Sequence, residues 1–420
     1  MSKDNSDFFK TKNSWSEIKD KLLGGYLTPY FQKILQTNKP TFYVDCFAGK
    51  GIFDDGKKGS PFIAIDAREG CLIRTRRTDL SGALKMCFIE LNYADILQSN
   101  IKAQQELISY DIPQIISGRY EDVIRNCLKD KQGQNVFLYI DPYGIKALDS
   151  MLFDEFQTYG FNTFEMLINF NSFGFFRDAC RVMSVDVSKD TTFTDLDDLV
   201  EYDATQVKTG DSNSEKLLTN IAGGDYWKQI VRDYNDGHID GYQAEKRLST
   251  EYKERLKQKY SYVLDMPIRL KPGQRPKYRM IHVCDHEDGC FLMADNIQRR
   301  KEELFLNIQS SGQMSIFDIM GSNFSQTVEG DVITKDEITN KVKSFLQSIH
   351  GDIHLTEFLA KFCNEYGLIS DFKTLHEILE DLERVRTIKI VRDPATNSRG
   401  KSRFWEEKKG QTIVIRRLSK

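Results

Sequence analysis

The 420-residue sequence lacks the long apolar segments of membrane and secreted proteins. No uninterrupted apolar run approaches the ~18 residues of a membrane span, and the mean hydropathy is −0.49. Residues 1–12 are polar, which excludes the apolar core of a secretory signal at that position. The net charge is also small, since 59 basic and 62 acidic side chains leave a formal charge of −3. We therefore expect a soluble cytoplasmic protein whose contacts with any polyanion are local.

Cysteine pairs are absent as well. The eight cysteines are scattered and form no C-x-x-C motif, so they do not predict a disulfide framework or a zinc knuckle. The densest group of ligand-type side chains alternates along a predicted strand and turn and consists of His282, Cys284, His286 and Cys290. We therefore predict buried, reduced thiols and no bound metal.

Short apolar runs alternate with helix-type patterns in the first half of the chain. Runs of strand length occupy residues 41–45, 85–90, 112–116, 135–140 and 164–170. Helix-type patterns lie between them, for example at 93–107 and 121–128. Strands separated by helices form βα units, which predicts an α/β fold with a mainly parallel, Rossmann-like sheet. Two later strands, at 262–270 and 278–283, predict a hairpin at the edge of that sheet.

Three further segments complete the predicted organisation. Residues 173–259 are polar and helix-prone, which indicates a helical insertion within a first domain of residues 1–306. Residues 307–331 are rich in Ser, Gly, Gln and Asn, which is typical of a linker. Residues 332–420 contain three helix patterns and then two strands around a basic loop, which predicts a winged helix-turn-helix domain.

A glycine turn follows the first predicted strand. The strand ends at Asp45, and a loop of small residues continues with Phe47, Ala48, Gly49 and Gly51. This D-x-F-A-G-x-G spacing differs from the dinucleotide fingerprint and from the P-loop, and it is typical of S-adenosylmethionine sites. There the glycine backbone meets the amino-acid and ribose part of the cofactor, and the carboxylate lies near its ammonium or sulfonium. An ordinary βα turn is the alternative interpretation.

An acidic residue ends the second predicted strand. Glu90 lies about 40 residues after the glycine turn. A carboxylate at this strand tip can accept hydrogen bonds from both ribose hydroxyls of a nucleoside cofactor. We therefore predict Glu90 as a cofactor-binding residue together with the glycine turn.

The fourth predicted strand ends in the motif Asp141-Pro142-Tyr143-Gly144. Enzymes that methylate an exocyclic amino group of a base accept its N–H bonds and stack the extruded base on an aromatic ring. Asp141, the Pro142 carbonyl and the Tyr143 ring supply that set. The motif departs from [DN]-P-P-[YF], because one proline is missing and the aromatic residue stands third. A strand-terminating turn that only packs against the cofactor is the alternative.

Polar and aromatic residues surround the end of the fifth predicted strand. Asn169 lies at its end, and Phe175 and Arg177 follow in an aromatic cluster. An amide, a ring and a guanidinium beside the pocket can contact a base and a phosphate, so we predict substrate binding by these residues. The alternative is that the aromatic cluster forms the core of the following helix.

These motifs resemble those of the three-Cys-motif partner (TcmP) proteins. The shared positions are Lys19, Leu23, Tyr26-Leu27, Tyr30, Asp45-x-Phe47-Ala48-Gly49-x-Gly51, Gly59-Ser60-Pro61, Ala64, Phe88-Ile89-Glu90, Asp141-Pro142-Tyr143-Gly144 and Leu167-Ile168-Asn169-Phe170. The resemblance implies a sheet like that of class I methyltransferases, especially adenine-N6 enzymes, with Tyr120 over the adenine ring of the cofactor. It also implies a carboxy-terminal winged helix and a separate partner with a three-cysteine, radical-SAM-like motif.

Local basic segments and one short peptide predict further partners. The wing-tip loop carries Arg399, Lys401 and Arg403, which can bind a nucleic-acid backbone, although a protein-docking wing is the alternative. A second basic strip runs from Arg269 to Arg279 on the predicted hairpin. In the linker, Gln313–Phe317 resembles peptides that bind bacterial sliding clamps, and the alternative is a strip that covers the protein's own core.

The leading hypothesis is an S-adenosylmethionine-dependent methyltransferase that acts on nucleic acid, with an adenine amino group as the expected acceptor. It requires no metal. Two alternatives stay open: a methyltransferase-like adaptor for a radical-SAM-like partner, and methylation of a protein or a small molecule.

Overall fold

The computed structural model describes residues 9–75, 82–108, 111–188, 190, 207–269, 276–309, 324–407 and 410–418. The chain forms two compact units, Met1–Asp285 and His286–Lys420. The sequence predicted the boundary after residue 306, about 20 residues later along the chain. Each unit is described separately below.

A seven-stranded sheet forms the centre of the first unit. Its strands are β1 (Thr41–Asp45), β2 (Leu84–Glu90), β3 (Gln114–Ser117), β4 (Asn135–Ile140), β5 (Thr163–Phe170), β6 (Tyr262–Ile268) and β7 (Tyr278–Cys284). Their order is β3-β2-β1-β4-β5-β7-β6; β1 to β5 are parallel, and β7 is antiparallel to both of its neighbours. The sheet and its late hairpin confirm the predicted α/β, Rossmann-like architecture.

Helices connect these strands and fill the segment before β6. They are α1 (Ser14–Ile34), α2 (Ser60–Thr75), α3 (Ala94–Ala103), α4 (Tyr120–Leu128), α5 (Ser150–Phe156), α6 (Ser172–Val182), α7 (Ser212–Ala222), α8 (Tyr226–Asn235) and α9 (Gly241–Lys257). Strands β1 and β4 are buried at every residue, as expected for parallel strands that are covered on both faces. The apolar pattern predicts α3, α4 and the helical insertion, but it does not predict α1 or α2.

The winding of the chain reverses between β1 and β4. Strand β1 pairs with β2 on one side and with β4 on the other. In such sheets ligands bind at this reversal, outside the carboxyl ends of the strands. The register places Asp45 opposite Tyr139, just before Asp141, and β5 ends beside β4 close to Asn169. The predicted site residues of three strands therefore meet at one edge.

A buried ion network joins the helical insertion to the hairpin β6–β7. The Arg279 guanidinium donates to Glu245 at 2.7 and 2.8 Å and to Asp265 at 2.7 Å. The Ser172 hydroxyl donates to Glu245 at 2.6 Å, and the Lys253 ammonium donates to Asp265 at 2.5 Å. The side chains of Arg279 and Glu245 are each only 1% exposed, so their charges are balanced within the protein.

Two residues of the basic strip that the sequence predicted, Lys277 and Arg279, are consequently buried rather than exposed. Arg279 is occupied by the ion network, and the Lys277 ammonium lies 4.5 Å from the centre of the Trp15 ring in a side chain that is buried. Lys271 and Arg275 lie outside the described residues. Alternating basic residues on a strand share one face, but their spacing does not reveal whether a helix covers that face.

The second unit combines helices with a three-stranded sheet. Its elements are α10 (Glu287–Gln309), β8 (Phe324–Gln326), β9 (Val332–Thr334), α11 (Lys335–Ser348), β10 (Ile353–His354), α12 (Leu355–Tyr366), α13 (Phe372–Arg384), β11 (Ile388–Asp393) and β12 (Thr412–Arg417). Strand β12 lies between β10 and β11 and is antiparallel to both. The predicted order of three helices and two strands is present. The strands β8, β9 and β10 are additions, because two or three residues carry too little periodicity to predict.

Helix α10 packs within the second unit, which explains the difference in the domain boundary. The Cys290 thiol donates to the Ala360 carbonyl at 3.6 Å, and the Phe291 ring stacks on Phe372 with centres 4.8 Å apart. The Gln298 amide also donates to a backbone carbonyl in the loop before α13 at 2.9 Å. The apolar face of α10 therefore contributes to the core of this unit.

Candidate functional site

A small cavity lies at the switch point of the sheet, beside the carboxyl ends of β1, β4 and β5. Its volume is about 60 Å³. The predicted residues that line it are Phe47, Ala48, Gly49, Gly51, Asp141, Pro142, Tyr143 and Asn169. The structure therefore brings together the glycine turn, the Asp-Pro-Tyr motif and the end of β5, as expected for strand ends at this position.

Glycine is needed at the two positions of the turn for different physical reasons. Gly49 adopts φ +62°, which favours glycine, and a Cβ there would lie 3.1 Å from the Phe9 ring. Gly51 adopts φ +76°, and a Cβ there would lie 2.7 Å from a Leu97 methyl and 2.9 Å from the Phe62 ring. Gly51 is therefore required by the packing of neighbouring side chains. Gly49 allows an aromatic ring to lie directly on the turn.

The Glu90 carboxylate, at the end of β2, forms hydrogen bonds with the backbone of the glycine turn. Its Oε2 accepts the Gly49 N–H at 2.8 Å, and its Oε1 accepts the N–H groups of Asn92 and Tyr93 at 2.9 and 3.2 Å. A carboxylate offers about four acceptor positions, so this one retains further capacity. Ribose binding by Glu90 stays a prediction.

Asp45 is a fully buried carboxyl group at the end of β1. Its Oδ1 accepts the Phe47 N–H at 3.2 Å, whereas its Oδ2 has no hydrogen-bond partner among the described residues. Burial raises the pKa of Asp45 to about 7, and the nearby Ser60 hydroxyl and the Phe47 N–H act in the opposite direction. Asp45 does not itself line the cavity, whose wall contains Phe47 and Ala48 from the same turn.

The raised pKa of Asp45 predicts a pH-dependent stability. Because the folded protein holds this proton more tightly than the unfolded chain does, the stabilisation is complete below pH 4 and is lost as the pH rises through about 7. The shift corresponds to about 4 kcal/mol. An Asp45→Asn variant cannot ionise, so urea unfolding should show it to be more stable than the wild type at pH 8 and nearly equal at pH 3.5. An equal difference at both pH values would contradict the assignment.

The Asp141 carboxylate is held by donors from three elements. The Lys19 ammonium lies 2.8 Å from Oδ1 and 2.7 Å from Oδ2. The Asn169 amide donates to Oδ1 at 2.6 Å, and the Tyr139 hydroxyl donates to Oδ2 at 3.1 Å. The carboxylate is therefore fixed in orientation, and its charge is balanced by a lysine that is itself buried.

The N-terminal helix and the residues before it form one wall of the cavity, which sequence reasoning missed. Phe9, Ser16, Lys19 and Asp20 line this wall. Burial raises the pKa of Asp20 to about 6, and its ion pair with Lys12 lowers it again in part. Ser16, Lys19 and Asp20 are spaced i, i+3 and i+4, so one polar helix face was the available signal.

Two predicted residues of α6 do not reach the cavity. The Phe175 ring is fully buried, with ring centres 5.9 Å from Phe170 and 6.4 Å from Trp227. It belongs to the hydrophobic core, as the alternative interpretation of the aromatic cluster states, and not to a substrate surface. Arg177 is half-buried in the same helix and does not line the cavity.

Two tyrosines differ in their accessibility. Tyr120 is buried, and its ring centre lies 5.3 Å from that of Phe47, so it supports the wall behind the glycine turn. Its contact with an adenine ring stays a prediction. Tyr143 lines the cavity and is 45% exposed, so its ring is accessible for stacking.

The basic loop of the second unit is exposed and turns tightly. Arg399, Lys401 and Arg403 are exposed, and the Asn397 side chain accepts the N–H groups of Arg399 and Lys401 at 3.0 Å each. Phe404 is buried and anchors the loop to the core of this unit. Helix α13 instead carries the acidic residues Glu377, Glu380, Asp381 and Glu383. The loop is therefore locally basic, whereas α13 is locally acidic.

Three other predictions concern features outside the cavity. Among the described residues, no group of three or more His, Cys, Asp or Glu side chains is placed to hold a metal ion, and His282 Nε2 lies 3.0 Å from a Glu165 oxygen. In the same ranges, no helix combines the length and the apolar character that crossing a membrane requires. Gln313–Phe317, the predicted clamp-binding peptide, lies outside the described residues.

Comparison with known proteins does not identify a family. No protein-family model matches the chain, and no curated protein matches it. The resemblance to the three-Cys-motif partner proteins therefore stays a prediction. Any functional conclusion rests on the geometry of the cavity.

Proposed function

We propose that this protein is an S-adenosylmethionine-dependent methyltransferase that acts on an amino group of a base in nucleic acid. The observation that supports this proposal most strongly is the cavity at the switch point. The glycine turn after β1 and the Asp-Pro-Tyr motif after β4 both line it. Within this proposal the sheet is a class I methyltransferase sheet, and the chain is a three-Cys-motif partner protein.

The residues present fit the charged part of the cofactor. Asp45, at the end of β1, is the acid that we assign to the ammonium or sulfonium group, although it does not itself line the cavity. Gly49 lines the cavity and fits the close approach of a ligand to the backbone. Glu90 retains an acceptor position for a ribose hydroxyl. The Phe9 ring rests on Gly49, so it has to move aside for a nucleoside. When bound, the cofactor supplies a methyl group on a positively charged sulfur.

The acceptor side of the cavity supports a base as the substrate. The exposed Tyr143 ring is suited to stack an extruded base, and Pro142 fixes the backbone beside it. In the second unit, we assign the helices and the basic loop to a winged helix-turn-helix. Arg399, Lys401 and Arg403 then contact the phosphate backbone.

One observation favours the adaptor as a second candidate. A cavity of about 60 Å³ with the Phe9 ring on the glycine turn is much smaller than a nucleoside cofactor. A protein that keeps this closed state would bind no methyl donor and would act through its partner with the three-cysteine, radical-SAM-like motif. Cofactor binding therefore separates the two candidates.

The test is calorimetric titration of the full-length protein with S-adenosylmethionine and S-adenosylhomocysteine. We expect binding by the wild type and at least tenfold weaker binding by Gly49→Ala, because its Cβ enters the cavity surface. Gly56→Ala is the matched control: its φ of +81° imposes the same backbone strain, but its Cβ meets nothing within 4 Å. Absence of binding by the wild type would exclude the methyltransferase and leave the adaptor.

A further inference from the structure

The hydrogen-bonding capacity of Asp141 is already used by the protein. Lys19 reaches both carboxylate oxygens, Asn169 donates to Oδ1 and Tyr139 donates to Oδ2. A carboxylate has about four acceptor positions, and these contacts fill them. Asp141 therefore has no position left for the N–H bonds of a base, although its sequence motif predicts that role.

The contact with Asp141 also fixes the orientation of the Asn169 amide. An ionised carboxylate only accepts hydrogen bonds, so the Asn169 nitrogen has to face Asp141, at the observed 2.6 Å. The amide oxygen then points away from Asp141. It has no hydrogen-bond partner among the described residues, and the side chain is only 3% exposed.

The free amide oxygen belongs to a residue of the cavity wall. Asn169 lines the cavity together with Pro142 and Tyr143. Buried polar atoms in folded proteins are nearly always hydrogen-bonded, so an unpartnered acceptor in a residue that lines a cavity indicates a donor that arrives with a ligand. Asn169 is thus a residue of the cavity wall with a buried acceptor that has no partner among the described residues.

We propose that Asn169 Oδ1 accepts an N–H bond from the amino group of the substrate base, and that Asp141 is a positioning residue that holds the amide in this orientation. The inference rests on the proposed function and deepens it. Because the amide oxygen cannot donate, a base that presents a carbonyl at this point is rejected. Selectivity for an amino-bearing base is thereby assigned to β5 rather than to the Asp-Pro-Tyr motif.

The experiment measures binding of two single-stranded oligonucleotides that differ only in one adenosine or inosine, without any methyl donor. Inosine replaces the amino group with a carbonyl. We expect full-length wild type to prefer adenosine by about tenfold. Asn169→Ala should bind both with equal affinity. Asn171→Ala is the matched control, because this neighbouring asparagine caps α6 and does not line the cavity; it should retain the preference.

An Asn169→Asp variant separates recognition from a merely structural role. At pH 5 a protonated carboxyl group beside Asp141 can donate to it and still accept from the base, so the preference for adenosine should persist. At pH 8 the two carboxylates repel each other, and the preference should vanish.

The proposal is overturned if Asn169→Ala keeps the full preference for adenosine, or if the wild type shows none. Both results are read without a methyl donor. They are therefore distinguishable from failure of the proposed function, which appears as absence of S-adenosylmethionine binding in calorimetry.

Discussion

Replacing Asp141 with alanine is expected to lower methyl transfer to adenosine-containing RNA or DNA about a hundredfold. The substitution removes the carboxylate that orients Asn169, and it leaves the buried Lys19 ammonium without that partner. Loss of one member of a buried ion pair costs about 3 kcal/mol, so the free energy of unfolding should fall as well. Transfer of a radiolabelled methyl group and urea unfolding of the full-length protein measure the two effects.

A double variant separates catalysis from stability. Lys19→Met combined with Asp141→Leu removes both charges, so most of the lost stability should return while transfer stays low. Full transfer activity in Asp141→Ala would show that neither recognition nor positioning depends on this carboxylate.

Replacing Glu245 with alanine is expected to lower the free energy of unfolding by about 4 kcal/mol, the largest loss of stability that we predict for a substitution. The substitution leaves the Arg279 guanidinium with Asp265 alone in a site that is 1% exposed. Urea unfolding followed by circular dichroism measures the loss.

Lys253→Ala is the matched control for the ion network. Lys253 pairs with Asp265 in the same network, but its side chain is 20% exposed, so its removal should cost only about 1 kcal/mol. Equal losses in the two variants would contradict a buried, charge-balanced network.

The strands and their ends were predictable because a short continuous stretch of sequence is enough to indicate each of them. The sequence NVFLYI forms β4 over the predicted residues, since a parallel strand that is buried on both sides reads as one continuous apolar run. The carboxyl ends of parallel strands share an edge, so Asp45, Asp141 and Asn169 were expected near one another.

The opposite wall of the cavity was not predictable from local patterns. Lys19 and Asp141 are 122 residues apart in sequence, and the local pattern around either residue does not predict their ion pair. Similarly, the sequence around Arg279 is that of an ordinary surface arginine on a strand, and only the folded structure places Glu245 of α9 next to it. Phe175 shows the converse case, because a ring beside a predicted pocket has the same sequence signature as a ring in the core.

The residues that precede α1 restrict how this protein is handled at the bench. The Phe9 ring lies on Gly49, and the Lys12 ammonium donates to the Lys58 carbonyl at 2.5 Å. Proteolytic trimming before Ser14 would remove both side chains and open the pocket on one side. Ligand affinities measured on preparations shortened in this way therefore describe an altered pocket.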